Sequence, residues 1–186
     1  KKQIMGITGL LLCGFLVSHL ITNSFIYISA ELFNTAAHAL ITNPLIYVAE
    51  AILGTIFLTH IFLALKLTIE NHKARPQKYY TKKSTGRGAT FASSTMPYTG
   101  LITLTFLVLH LINFKFGPVY TATYDGVEVR DLFRLEMEYF ASPVNVAWYV
   151  FAVLSLGIHV SHGFWSAFQS LGFNHPKYNG MIKCAS

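Results

Sequence analysis

The chain has 186 residues, 53% hydrophobic and 12% charged, with a formal net charge of +6. Soluble domains carry about a quarter charged residues, so this composition, with a mean hydropathy of +0.46, excludes an ordinary soluble domain. Two cysteines, Cys13 and Cys184, give neither a disulfide framework nor a metal-ligand spacing.

Four segments with little or no charge reach the roughly 20 apolar residues that a bilayer requires. The expected spans cover about residues 3–30, 44–65, 96–114 and 143–173 in one transmembrane domain. Lys1 and Lys2 precede the first span, but its apolar run is far longer than a signal-peptide core of about 7–15 residues, so it reads as a true span. The connection 29–43 holds Glu31 and no Lys or Arg. After the second span, Lys66, Lys73, Arg75, Lys78, Lys82, Lys83 and Arg87 face a single acid, Glu70. The stretch "STGRGATFASST" then has turn chemistry. In the connection 115–142, Asp125, Glu128, Asp131, Glu136 and Glu138 outnumber Lys115, Arg130 and Arg134. There "DLFRLEMEYF" has the apolar spacing of a short helix. The tail carries Lys177 and Lys183. Basic segments stay in the cytoplasm, so the N-terminus is expected inside and the two acidic connections outside. The basic excess is then a topology signal with a lesser role at anionic lipid headgroups, and nucleic acid is not a partner.

Each span offers a histidine at one of two matched depths. His19 lies about 14 residues beyond Met5 and His110 about 14 beyond Met96, roughly 21 Å from the inner face. His60 and His159 each lie about 16 residues beyond a proline, Pro44 and Pro143, roughly 24 Å from the outer face. Two matched depths fit two haems, each held by two imidazoles from facing helices; such bis-imidazole haems transfer electrons. A lone intramembrane histidine is otherwise an interhelical hydrogen-bonding residue. His162, three residues from His159, shares its face and competes as a ligand. His38, His72 and His175 read as surface residues. Small residues at Gly6, Gly9, Gly14, Gly54, Gly100, Gly157 and Gly163 serve close packing or make room for a macrocycle. Trp148, Trp165, Tyr98 and Tyr149 read as interfacial belts. No repeat of the solenoid kind is evident; only the histidine spacing recurs. The fold class is all-α, a transmembrane helix bundle binding two b-type haems.

Together "SHLITNSF", "ELFNTAAHAL", "THIFLALKL", "LVLHLINF" and "GIHVSHGFWS" resemble the di-haem cytochrome b membrane anchor of succinate dehydrogenase and fumarate reductase, the single-chain five-helix type. The last stretch is similar to the family pattern H-x-x-x-G-[LF]-W-S, which favours His159 over His162. The family has a fifth helix, expected to be missing from the C-terminus here. The resemblance implies a flavoprotein and an iron–sulfur subunit docked on the cytoplasmic side of a bacterial inner membrane. It also implies electron transfer through both haems to or from a quinone, usually menaquinone. Anchors of formate dehydrogenase or hydrogenase, or a non-haem membrane subunit, are the alternative readings.

On that reading the iron ligands are His60 with His159 for the inner haem and His19 with His110 for the outer one. Arg87, Ser93 and Ser94 are candidate partners for the inner haem's propionates. The quinone is expected at the outer helix ends, where Glu31 is the first candidate for proton exchange, with His38 and Glu50 behind it. Glu50 lies about 9 Å inside the second span.

Overall fold

The computed structural model describes residues 1–74, 91–173 and 175–186. Among them four helices are long and apolar enough to cross a membrane: Lys2–Tyr27, Leu45–Lys73, Ser93–Lys115 and Pro143–Ser170. The chain forms an all-α membrane helical bundle, as its composition predicts. These helices bury little of themselves against one another. Leu20, Leu58, Leu101 and Leu154 are each about two-thirds exposed, the surface that lipid rather than water solvates.

Helix α1 (Lys2–Asn23) continues into a 3₁₀ turn, Ser24–Tyr27. The first span stops there because Ser29 starts a new helix, its hydroxyl accepting from Leu32 N–H at 3.0 Å. That helix, α2 (Ala30–Ile41), is followed by α3 (Leu45–Lys73). Helix α3 runs well past the expected end at Leu65. Lys66, Glu70 and Lys73 continue it with charges of opposite sign at helical spacing, so it remains helical where it ceases to be apolar. His72 thus lies on α3, exposed. Helix α4 (Phe91–His110) ends in a π-helical turn, Leu111–Lys115. Helix α6 (Pro143–Ser170) is closed by Gly172 at φ 89°, with Phe173 N–H bonded back to Phe168 O at 2.9 Å. In the tail, His175 caps α7 (Pro176–Ala185) by accepting from Lys177 N–H at 3.2 Å.

The connection before α6 is more structured than a single short helix. Strands β1 (Thr121–Tyr124) and β2 (Val127–Arg130) pair antiparallel around Asp125-Gly126. Both turn residues have positive φ, 50° and 80°, as a two-residue hairpin turn demands. The expected helix follows as α5 (Leu132–Phe140), capped by Asp131 on Arg134 N–H at 3.0 Å.

Contacts group the chain into two compact units. The first comprises Lys1–Cys13, Gly54–Ile102 and Ser155–Ser186. There Gly6 packs closely on Ala167: a Cβ added at Gly6 would sit 3.4 Å from Ala167 Cα. The second comprises Gly14–Leu53 and Thr103–Leu154. There α2, β2 and α5 enclose Phe33, Val129 and Leu135 around a fully buried Asn34. Its amide donates to Asp131 Oδ1 at 2.8 Å and Tyr124 Oη at 3.2 Å, and its carbonyl accepts from Phe133 N–H at 3.0 Å. Arg130 closes the π-turn by donating to Phe114 O at 2.8 Å and Lys115 O at 3.2 Å.

Candidate haem sites and the histidine pairs

Each unit brings a histidine from one long helix close to a histidine from another. The first unit holds His60 of α3 and His159 of α6, close enough to interact electrostatically. The second holds His19 of α1 and His110 of α4, their ring centroids 5.8 Å apart and nearly perpendicular.

In the first unit both imidazoles are held alike. His60 Nδ1 lies 3.1 Å from Thr8 Oγ1, and His159 Nδ1 lies 3.2 Å from Thr99 Oγ1. The next residue is a glycine each time. A Cβ at Gly9 would lie 3.5 Å from His60 Cε1, and one at Gly100 would lie 3.3 Å from His159 Cε1. The threonine supplies a polar atom, and the glycine lets the ring lie against the neighbouring helix. His162 is half-buried beside His159 and has no hydrogen-bond partner among the described residues. Ser155, one turn before His159, has a buried hydroxyl with no partner among the described residues.

In the second unit the rings sit among aromatics. Phe15 stacks on His19 at 5.4 Å, and Phe106 and Phe114 flank His110 at 5.7 and 5.3 Å. His110 Nδ1 lies 3.2 Å from Tyr149 Oη. Tyr149, read from sequence as an interfacial residue, is therefore part of this site.

These residues fit a haem. His19 and His110 bring two imidazoles from different helices to a ring separation of 5.8 Å and would hold one haem, as would His60 and His159. In three of the four, Nδ1 is engaged by a hydroxyl, which leaves Nε2 available as the ligand. No group of three or more His, Cys, Asp or Glu able to hold a metal ion occurs among the described residues. Paired donors suit a metal that already carries a macrocycle.

The other candidates are scattered. Arg87 lies outside the described residues. Ser93 and Ser94 lie in the first turn of α4 in the first unit. Glu31 is exposed in the first turn of α2, where a carboxylate favours the helix dipole. His38 is half-buried near the end of α2. Glu50 is ion-paired with Lys115, both exposed. None of the three lines the open cleft of about 440 Å³ in this unit, which is walled by Ile112, Asn113, Pro118, Tyr120, Leu135, Glu138 and Tyr139. Asn113 and Tyr139 are joined there by a 2.9 Å hydrogen bond. Glu136, on α5 next to the cleft wall, is the acid that sequence reasoning passed over. Burial raises its carboxyl to about 7, and it is close enough to Tyr149 to act on it electrostatically.

A signal for the threonines was present in the sequence. "TGLLLCGFLVSH" (8–19) and "TGLITLTFLVLH" (99–110) match at Thr, Gly, Leu, Phe, Leu, Val and His. Spans α1 and α4 are thus copies of one pattern. This corrects the reading that only histidine spacing recurs.

No family model and no solved structure matches the chain. It is 30% identical over 171 residues to the succinate dehydrogenase cytochrome b558 subunit of Bacillus subtilis (strain 168), covering 89% of this chain and 76% of that protein. With that identity over that extent, the chain belongs to the family of succinate dehydrogenase cytochrome b subunits.

Proposed function

We propose that the chain is the quinone-reactive, di-haem membrane anchor of a succinate:quinone oxidoreductase. A flavoprotein and an iron–sulfur subunit would dock on the cytoplasmic side of a bacterial inner membrane, beside the first unit. The observation that carries this reading is that His60 with His159, and His19 with His110, come together from four different long helices in two units. Haem b bound at each pair would supply one-electron transfer between the iron–sulfur subunit and the quinone.

The residues of this chain do the rest. Four histidines from four helices fix ring position, and apolar helices keep water from the rings. In the second unit the cleft beside Asn113 and Tyr139 has the size of a small-molecule site. Quinone reduction takes up two protons and quinol oxidation releases two, so a titratable group must stand between quinone and water. Glu136 and the cleft-lining Glu138 join Glu31, His38 and Glu50 as the groups that could do so. Menaquinone is the expected quinone. Arg87, Ser93 and Ser94 would meet the propionates of the first unit's haem.

The test is the purified complex. Reduced-minus-oxidised spectra should give two haems per flavin. Replacing His60 or His159 should remove one b-type component, and replacing His19 or His110 the other. A complex without b-type bands, or with both retained in all four variants, would overturn the reading.

A further inference from the structure

We propose that Thr8 and Thr99 are matched positioning residues: each hydroxyl accepts the Nδ1–H of the imidazole facing it and so presents Nε2 of His60 and His159 to a single haem. The inference rests on the di-haem reading and adds to it the device that fixes ring and tautomer.

The direction of each hydrogen bond follows from counting hydrogens. A threonine hydroxyl has one hydrogen and two lone pairs. Thr8 Oγ1 lies 3.0 Å from Ile4 O and 3.1 Å from Met5 O, and Thr99 Oγ1 lies 3.2 Å from both Thr95 O and Met96 O. Carbonyl oxygens only accept. If the hydroxyl hydrogen pointed at the imidazole, its lone pairs would face two carbonyl lone pairs at hydrogen-bond distance. Pointed back along the helix, it satisfies a carbonyl and leaves the oxygen free to accept. The imidazole nitrogen at 3.1 or 3.2 Å must then be the donor. Nδ1 holds the proton and Nε2 a bare lone pair, the form in which neutral histidine binds a metal. Both hydroxyls are buried, Thr8 at 6% and Thr99 at 7% exposure, so water does not compete.

Two further observations are independent of these distances. The clamp occurs twice, each time as Thr-Gly-Leu and each time 11 residues before the histidine of its own helix. In both copies the glycine after the threonine lies against the same imidazole that the threonine bonds. The second unit lacks this arrangement: His110 meets a phenol at Tyr149, whose hydroxyl can donate or accept. The device is therefore specific to the haem that His60 and His159 would share.

The experiment uses the intact, membrane-extracted complex. Thr8→Val and Thr99→Val keep the shape and remove the acceptor; Thr8→Ser and Thr99→Ser restore it. Redox titration of the two haem bands and the low-spin ferric resonance spectrum are read for each variant. An Nδ1–H bond makes imidazole a stronger electron donor to iron, so each Val variant should raise the midpoint potential of one haem. It should be the same haem for both, and the double variant should move it further while the second haem stays unchanged. The Ser variants should return it to the parent value. Loss of that one haem in a Val variant, with retention in the Ser variant, also supports the role. Unchanged potential and resonance in both Val variants, shifts in different haems, or Ser variants as altered as Val would overturn it. A parent complex lacking haem would instead overturn the di-haem reading itself.

Discussion

The two glycine cradles make a graded steric prediction. Carbon atoms pack best at about 3.5–4.0 Å. Gly9→Ala would place its methyl 3.5 Å from His60 Cε1 and 4.0 Å from Nδ1, an ordinary contact. Gly100→Ala would place it 3.3 Å from His159 Cε1 and 3.7 Å from Nδ1. At the second site the ring must retreat by about 0.2–0.5 Å to reach a comfortable distance. Retreat lengthens the 3.2 Å bond to Thr99 toward the limit at which a hydrogen bond survives. Overpacking of this kind costs about 1–3 kcal/mol. Against it, alanine in a helix is more favourable than glycine by about 1 kcal/mol. Gly9→Ala has the gain without the clash and should be neutral or slightly stabilising. Gly100→Ala should lose about 1 kcal/mol net and loosen the haem at His60 and His159. The assay is thermal loss of the reduced haem bands in detergent, each variant followed in parallel with the parent complex. The Gly100 variant should release one haem at lower temperature and the Gly9 variant should not. Equal behaviour of the two, or greater sensitivity at Gly9, would refute the reasoning from these distances.

Glu136→Gln should remove a pH-dependent strain. Burial raises this carboxyl from 4.5 to about 7, so its stabilising contribution is complete below about pH 4.5 and is lost as pH rises through about 7. The loss is at most about 3 kcal/mol, and melting curves between pH 5 and 8 should flatten in the variant. Asn34→Ala deprives Asp131, Tyr124 and Phe133 N–H of buried partners; it should cost about 3 kcal/mol, seen as early proteolysis of the 116–142 connection. Gly117→Ala would drive a Cβ into the carbonyl of Asn113, and quinone-linked turnover should fall while dye-linked succinate oxidation persists. If Glu31 exchanges protons with quinone, Glu31→Gln should lower that turnover with both haems retained; unchanged turnover would remove it from the mechanism.

What was legible in the sequence is what the bilayer dictates. A 30 Å apolar slab forces long uncharged helices, and four such segments were visible at once. Their ends were less so. Helix α3 continues through Glu70 to Lys73 because helix formation does not stop where apolarity stops. Beyond the apolar spans the usual local rules return. Asp125-Gly126 between "TATY" and "VEVR" is a strong hairpin signal, yet the hairpin went unread beside the helical spacing of "DLFRLEMEYF". Asn34 was invisible for another reason: nothing local marks a residue whose partners lie about 90 to 100 positions away.

The histidines were legible because imidazole is out of place in hydrocarbon; the threonines were not, because a helical threonine bonding its own backbone is unremarked in any span. What gives Thr8 and Thr99 meaning is the neighbouring glycine and the recurrence of the whole segment 91 positions on. In that recurrence α1 and α4 each carry two things: a histidine for the second unit and a hydroxyl-and-glycine cradle for the first. Helices α3 and α6 each bring the histidine that a cradle receives. A haem at His60 and His159 would thus be ligated by one pair of helices and oriented by the other, so its position depends on all four. A haem at His19 and His110 would be ligated by the cradle-bearing pair itself, with Tyr149 of α6 as the outside partner of His110. Two chemically equal haems placed in these surroundings would not remain equal. The donor strength of each imidazole follows its Nδ1 partner, two aliphatic hydroxyls in one unit and a phenol in the other. That inequality would give the two haems different midpoint potentials.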